Sequence, residues 1–404
     1  MMAAERASAP DTPAERMPSP IFIVGSMGSG STLLRLILDS HDHIAIGQET
    51  SFMRLVLAHR WVPFWRFGDK WHGRLGLTQE DLDTELRSFY GGLFERYARQ
   101  QGKRRWGEKT PHHVWHAADM AQLFPDSVFL GIVRHPGGTT GSLMGRFRFD
   151  ASRAVAHWLR ANRELVNQGT RLGERFVLCR YEDLVLEPDK TLRELFDWLD
   201  EPWQPQVLAH HEVQRDKGAP QVVDGRTRSD DPLDTARVAK WMTELDTDDR
   251  ELLRREAGGW AAFFGYDVDG ALPADSLAPP ASPRDRLLTG TELAARREAW
   301  EWEVDFTPPA RPESERLYKP QRKARPATPP RAGHGRRATR PQPDNLTQPD
   351  NLTKAEGRTK AKARTQHPTS AVRRRLRRAR NAVAPHIPPA VRRVVRRVRP
   401  RTRR

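Results

Sequence analysis

The stretch Ile21-Phe22-Ile23-Val24-Gly25-Ser26-Met27-Gly28-Ser29-Gly30-Ser31-Thr32 decides which fold we expect for this chain. Its first four residues are apolar, which is typical of a buried strand in a parallel sheet. A turn rich in glycine and serine follows, and residues 32–38 then predict a helix. Such a strand–loop–helix unit presents backbone N–H groups and a helix N-terminus to an anion. The stretch therefore predicts a phosphate-binding loop.

This loop has the glycine spacing of a nucleotide triphosphate loop but lacks its lysine. Gly25 and Gly30 fit G-x-x-x-x-G-K-[S/T], and Ser31 stands where the lysine belongs. Because that lysine reaches the β- and γ-phosphates, a nucleotide with a different group at its 5′ end is indicated. The alternative is a P-loop kinase-like nucleotide enzyme, for which the sequence shows no acidic strand end to hold magnesium.

Two further apolar runs, residues 128–133 and 176–179, predict buried strands. Helical patterns cover residues 112–123, 151–167 and 190–199. Alternating strands and helices predict an α/β fold, with a P-loop-type parallel sheet flanked by helices. Ligands bind beyond the carboxyl ends of such strands, so one nucleotide is expected to contact Gly25, Arg134 and Tyr181.

Before the second predicted strand, a long helix is expected to begin at Thr78, with Asp81 in its first turn. An apolar stripe on one face of this helix is predicted to belong to the core. The stripe consists of Leu82, Leu86, Phe89, Leu93 and Tyr97.

Composition divides the 404 residues into an enzyme-sized domain and less ordered flanks. We expect a flexible leader at 1–19, a folded domain at 20–268, a Pro/Arg/Ala-rich linker of low order at 269–370 and an Arg-rich amphipathic tail at 371–404. Within the linker, residues 291–304 predict an isolated helix.

The formal charge of +16 comes mostly from the tail. Fourteen of the 68 basic residues lie in 371–404, which has no Asp or Glu. The rest of the chain has 54 basic and 52 acidic residues. Such a basic block is expected to bind an anionic membrane surface or another polyanion, and a solvated tail without a partner is the alternative. No specific nucleic-acid binding is predicted, because no aromatic stacking platform accompanies the arginines.

Cys179 is the only cysteine, so a disulfide within the chain and a cysteine-based zinc site are excluded. The sequence contains no run of about 18 apolar residues and no apolar segment typical of a secretory signal near its start. The expectation is a cytoplasmic protein, peripheral at a membrane if the tail binds one.

The residues suited to chemistry resemble, in their order, the sulfotransferases that use 3′-phosphoadenosine 5′-phosphosulfate (PAPS). The branch that looks closest contains tyrosylprotein sulfotransferases and their bacterial relatives. The resemblance covers residues 20–266 and is most specific at Gly25–Glu49 and Phe124–Arg146. It implies PAPS as co-substrate, a hydroxyl-bearing acceptor and no metal. A protein that binds polyanions through its tail and carries an inactive domain is a further alternative.

The resemblance also implies which residues hold the nucleotide. The first loop would hold the 5′-phosphosulfate, while Arg134, Ser142 and Arg146 would hold the 3′-phosphate. Tyr181 and Lys240 match other nucleotide contacts, Lys240 on the pair Lys240-Trp241 alone. The complete implied set is Gly28, Ser29, Gly30, Ser31, Thr32, Arg134, Ser142, Arg146, Tyr181 and Lys240.

Two residues are implied as catalytic. Glu49 falls where the tyrosylprotein branch has its general base, and a positioned carboxylate can take the proton of an acceptor hydroxyl. Lys109 falls where the family has a lysine near the leaving phosphate, whose developing charge a cation stabilises. His112 and His113 compete with Glu49 as the base, whereas His41 and His43 are expected to be structural.

Gly28 departs from the family pattern, because the tyrosylprotein branch has an arginine there. The loss of this charge favours a carbohydrate, a glycolipid or a small molecule over peptide tyrosine as acceptor. Residues 59–71 combine aromatic and basic side chains; they either line the acceptor site or form a loop that caps the core.

Overall fold

The computed structural model describes residues 18–61, 71–218, 231–270 and 286–312. Their strands are β1 Ile21–Gly25, β2 Ile44–Ile46, β3 Arg105–Lys109, β4 Val128–Val133, β5 Phe176–Arg180 and β6 Leu287–Thr289. These strands form one sheet in the order β2-β3-β1-β4-β5-β6. Neighbouring strands are parallel except for β5 and β6, which are antiparallel. The predicted α/β fold with a parallel sheet is confirmed.

Helices pack on both faces of this sheet. Those before β5 are α1 Ser31–Asp39, α2 Phe52–Trp61, α3 Gln79–Gln100, α4 Ala117–Leu123, α5 Pro136–Phe147 and α6 Ala151–Leu172. Those after β5 are α7 Tyr181–Leu186, α8 Pro188–Trp198, α9 His210–Asp216, α10 Ala236–Ala239, α11 Trp241–Glu244, α12 Thr247–Phe263 and α13 Gly290–Trp300. A 3₁₀ turn, Pro111–Trp115, follows β3.

The apolar residues of β1 supply the core on both faces of the sheet. Phe22 and Val24 belong to one cluster of buried side chains, and Ile21 and Ile23 belong to the other. This division follows from the alternation of side chains along a strand. Because neither face is open to water, the strand reads as a continuous apolar run.

The folded domain continues beyond the predicted boundary at residue 268. Strand β6 pairs with β5, so α13 is not the isolated helix that the sequence predicts for 291–304. Beyond α13, Phe306 is buried and its ring lies 5.1 Å from that of Trp260 and 5.3 Å from that of Phe263. The linker prediction for 269–370 is therefore wrong for residues 287–306.

Helix α3 confirms its predicted start but only part of its predicted core stripe. The Thr78 hydroxyl accepts from the Asp81 N–H, and the Asp81 side chain accepts from the Thr78 N–H. Leu82 is buried as predicted, whereas Phe89 is 64% exposed and Leu93 is 40% exposed. Leu86 and Tyr97 are partly buried and pack against the core, so only Phe89 and Leu93 of the stripe face solvent.

Several sequence predictions lie outside the described residues. They include the leader through residue 17, most of the aromatic–basic stretch at 59–71 and the Arg-rich tail at 371–404. Across the described ranges, the structure has no helix whose length and apolar content suit a membrane crossing.

Candidate functional site

The loop between β1 and α1 is shaped by close packing and by its own hydrogen bonds. The N–H and hydroxyl groups of Ser29 both donate to the Ser26 carbonyl, at 3.2 and 2.7 Å. A Cβ on Gly25 would lie 2.6 Å from the Ile132 carbonyl oxygen, so only glycine allows β1 to approach β4 this closely. The chain then enters α1, whose first N–H groups are available to an anion.

Gly30 caps α1 and supports the ring of Tyr181. It has φ 98°, and a Cβ there would lie 2.3 Å from Tyr181 Cδ2. The ring therefore packs directly against the loop backbone. Both the dihedral angle and the contact require glycine at this position.

Replacing Gly30 by Ala should weaken both the fold and nucleotide binding. The left-handed backbone alone costs about 1–2 kcal/mol, and the Tyr181 ring must also move away. We expect a lower melting temperature and a loss of affinity for adenosine 3′,5′-bisphosphate, measured by thermal shift and calorimetry. The control Gly92→Ala lies in α3, where a Cβ meets nothing within 4 Å. Unchanged nucleotide affinity of Gly30→Ala would contradict the role given to this contact.

A cavity of about 690 Å³ gathers residues that follow β1, β2, β3, β4 and β5. Ten predicted site residues line it: Gly28, Gly30, Ser31, Thr32, Glu49, Arg134, Ser142, Arg146, Tyr181 and Lys240. Two others, Ser29 and Lys109, lie behind its wall and are almost fully buried. The roles of these residues stay predictions, but the fold brings them to one place.

Glu49 and Lys109 form an ion pair at the edge of this cavity. The Lys109 ammonium also donates to Thr32 Oγ1 at 3.1 Å, and its side chain is only 2% exposed. The Glu49 side chain is 44% exposed. The arrangement thus places a proton-accepting carboxylate at the surface of the cavity and a cation directly behind its loop.

Arg134 projects from the end of β4 against Tyr181. Its guanidinium carbon lies 4.3 Å from the centroid of the Tyr181 ring, and Nη2 donates to the Arg237 carbonyl at 2.8 Å. Its Nε is buried and has no hydrogen-bond partner among the described residues. Because buried donors are nearly always paired, an anion in the cavity would satisfy this group.

Gly28, which departs from the pattern of the tyrosylprotein branch, has a backbone conformation that suits glycine. This residue has φ 80°, and a Cβ would lie 3.3 Å from Ser142 Oγ. An arginine here would need a left-handed conformation that side chains rarely adopt. The cations that line the cavity are Arg134, Arg146, Arg237 and Lys240.

Sequence reasoning missed several cavity residues near α10 and α11. Arg237, Trp241 and Glu244 line the cavity together with Lys240, and they recur at the three- and four-residue steps of one helix face. Lys240 is 64% exposed and pairs with Glu244 at 2.7 Å. A phosphate that binds Lys240 would therefore compete with this carboxylate.

The two histidines beside Lys109 occupy different environments. His113 is buried, and its Nδ1 lies 2.8 Å from Glu108 Oε2. His112 lines the cavity, where its Nε2 lies 3.3 Å from the sulfur of Met27. Only His112 is therefore placed to compete with Glu49 as a base.

His41, His43 and Glu201 are close enough together to suggest a metal site, but both ring nitrogens of His41, Nδ1 of His43 and both oxygens of Glu201 have contacts within the protein. His41 Nε2 contacts the Pro202 carbonyl at 2.9 Å, and its Nδ1 accepts from the His43 N–H at 3.1 Å. Glu201 contacts His43 at 2.8 Å and Arg105 at 3.2 Å. These contacts join the start of β2 to the segment after α8, as expected for structural histidines.

Comparison with known proteins gives consistent matches. Residues 20–205 match the model described as "Sulfotransferase family". The chain is 29% identical to the protein-tyrosine sulfotransferase of Drosophila melanogaster over 299 residues, 70% of this chain and 57% of that protein. It is 30% identical to protein-tyrosine sulfotransferase 1 of Homo sapiens over 243 residues, 56% of this chain and 64% of that protein. The match thus spans less than two thirds of either relative.

One solved structure similar to this chain is the sulfotransferase domain of the Synechococcus PCC 7002 olefin synthase. The two are 24% identical, with coverage of 63% of this chain and 98% of that chain and a TM-score of 0.41.

Proposed function

We propose that this chain, whose residues 20–205 match the sulfotransferase family model, transfers a sulfuryl group from PAPS to an acceptor hydroxyl. The observation that carries the proposal is the meeting of Glu49, Lys109 and Thr32 at the edge of the cavity. A base, a cation and a loop suited to an anion are what this transfer needs.

The cavity fits a nucleotide that carries phosphate at two ends. The loop at Gly28–Thr32 offers the start of α1 to the 5′ end, and Ser31 replaces the lysine that a triphosphate would require. Arg134 lies at the end of β4 with a buried Nε available for a 3′-phosphate. Arginine suits this role because its planar fork meets phosphate oxygens in pairs.

In the proposed reaction, the acceptor oxygen bonds to sulfur while the bond from sulfur to the bridging phosphate oxygen breaks. Glu49 takes the proton of the acceptor hydroxyl. Lys109 stabilises the charge that develops on the departing phosphate, and Thr32 holds its ammonium. The products are a sulfate ester and adenosine 3′,5′-bisphosphate, and no step requires a metal.

For the acceptor, we favour a carbohydrate, a glycolipid or a small molecule over peptide tyrosine. The relatives named above are protein-tyrosine sulfotransferases, but Gly28 stands where that branch has an arginine. The backbone of Gly28 has φ 80°, a conformation that glycine adopts readily and other residues rarely adopt. This difference in charge beside the transferred group supports a different acceptor.

We also propose that the protein is cytoplasmic and that its Arg-rich tail binds an anionic membrane or another polyanion. The role of the tail is supported by the charge of residues 371–404 alone. Cosedimentation with anionic vesicles, with and without residues 371–404, tests the membrane; equal sedimentation of both chains would refute a role for the tail.

The decisive experiment is a screen of hydroxyl acceptors with the purified chain and sulfur-labelled PAPS. The panel contains a disaccharide, a glycolipid, a simple phenol and a tyrosine peptide. We expect labelled sulfate ester on an acceptor other than the peptide, formed without added metal. Labelling of the peptide alone would overturn the acceptor proposal. Magnesium-dependent release of phosphate from ATP, with no transfer from PAPS, would establish the kinase-like alternative.

A further inference from the structure

A buried carboxylate connects the two segments that carry the catalytic candidates. Glu108, which precedes Lys109 in β3, is 2% exposed. Its Oε1 accepts from Thr50 Oγ1 at 3.1 Å and from Thr110 Oγ1 at 2.7 Å. Thr50 follows Glu49, so one oxygen atom joins the neighbours of both catalytic candidates.

A histidine lies beside this carboxylate inside the protein. His113 Nδ1 lies 2.8 Å from Glu108 Oε2. Burial by itself raises the pKa of the Glu108 carboxyl, but His113 and the hydroxyls of Thr110 and Thr50 outweigh it and hold this pKa below its ordinary value. Glu108 is therefore a charged acceptor, and hydrogen bonds to charged groups are the stronger ones.

The turn after Glu49 needs such an anchor because its backbone is strained. Ser51 has φ 55°, a left-handed conformation that costs a residue other than glycine about 1–2 kcal/mol. Its N–H donates to Thr110 Oγ1 at 3.4 Å, and the Phe52 N–H donates to Thr50 Oγ1 at 3.1 Å. Strain of this kind persists only where the surroundings determine the conformation.

We propose that Glu108 is a positioning residue for sulfuryl transfer, which holds Thr50 and thereby fixes the Glu49 carboxylate beside Lys109. This inference rests on the proposed function. Glu108 acts through Glu49 and does not itself face the cavity. An error of about 1 Å in the position of a catalytic group can cost up to about 10²-fold in rate.

The test compares Glu108→Gln and Thr50→Val with Thr50→Ser, which keeps the hydroxyl. Each variant is assayed for transfer from labelled PAPS, to the acceptor found in the screen or to water, and for binding of adenosine 3′,5′-bisphosphate. We expect Glu108→Gln and Thr50→Val to lower kcat at least tenfold, while their nucleotide affinities stay within about twofold of the wild-type value. Thr50→Ser should keep most of the wild-type rate. The control Thr191→Val, in α8, removes another buried hydroxyl, which donates to the carbonyl of Asp183 in α7 at 2.9 Å.

A structural role alone would lower the melting temperature of Glu108→Gln and Thr50→Val, as of Thr191→Val, without this selective loss of kcat. That result, or a Thr50→Ser variant as slow as Thr50→Val, would overturn the inference. In a Glu49→Gln background, Thr50→Val should lower the rate further by less than about twofold, because the base that Thr50 positions is gone. If Thr50→Val lowers the rate as much in this background as in the wild-type chain, the inference is also overturned. If the wild-type chain transfers no sulfuryl group, the proposed function itself fails.

Discussion

Replacing Glu49 by Gln should slow sulfuryl transfer by about 10²–10⁴-fold, the usual contribution of a positioned general base. Glutamine keeps the size of the side chain but cannot take the acceptor proton. Affinity for adenosine 3′,5′-bisphosphate should stay within about twofold, because Glu49 is placed on the acceptor side of the proposed reaction. Single-turnover transfer from labelled PAPS measures the chemical step, and calorimetry measures nucleotide binding.

Two comparisons make this result specific. The control Glu95→Gln removes a carboxylate that is also partly exposed and ion-paired, with Arg99 at 3.3 Å in α3, away from the cavity. It should transfer at the wild-type rate. His112→Asn tests the competing base, since His112 lines the same cavity. A normal rate for Glu49→Gln, with loss of transfer in His112→Asn, would move the base from the carboxylate to the imidazole.

The sequence predicted the parts of the sheet that are purely apolar. The runs at 21–24, 128–133 and 176–179 coincide with β1, β4 and β5. Strands buried on both faces carry a continuous apolar pattern, which needs no knowledge of the neighbours. The turn between β1 and α1 was recognised from its glycines, because positive φ angles and close backbone approach are local requirements.

Strand β3 could not be recognised in this way, because charged residues are buried in it. Arg105 donates to the Ser19 carbonyl at 2.7 Å and contacts Glu201 at 3.2 Å, while Glu108 is paired with His113. Arg105 and Lys109 are paired with carboxylates that are distant in sequence, and His113 lies beside Glu108. Such compensation depends on the tertiary fold, so a run containing Arg, Glu and Lys does not read as a buried strand.

The limits of the site prediction have a similar origin. The family order named Glu49 and Lys109 separately, whereas their ion pair and the burial of Lys109 behind Thr32 are consequences of packing. Of the cavity residues near α10 and α11, the sequence predicted only Lys240. These helices are only four residues each, which is too short for a clear helical pattern. The end of the domain was set too early, because β6 is a strand of three residues after a gap in apolar pattern.

Replacing Arg134 by Ala should lower the affinity for adenosine 3′,5′-bisphosphate by about 10²-fold. The affinity for adenosine 5′-phosphate should fall by less than about fivefold. Loss of one partner of a buried charged hydrogen bond costs about 2–5 kcal/mol, and 10²-fold corresponds to about 2.7 kcal/mol. Only the first ligand has the 3′-phosphate. Both lose the support that the guanidinium gives to Tyr181, where a cation–π contact is worth about 0.5–1 kcal/mol when exposed.

The difference between the two nucleotides therefore separates phosphate recognition from packing. Arg193→Ala is a matched control, since its guanidinium also lies 4.3 Å from an aromatic centroid, that of Trp203, outside the cavity lining. It should leave both affinities unchanged. Arg134→Lys keeps a point charge without the planar fork, so its affinity for the bisphosphate should fall between those of wild type and Arg134→Ala. Equal losses for both nucleotides in Arg134→Ala would show that Arg134 acts only by packing against Tyr181, and the 3′-phosphate would then require another cation of the cavity.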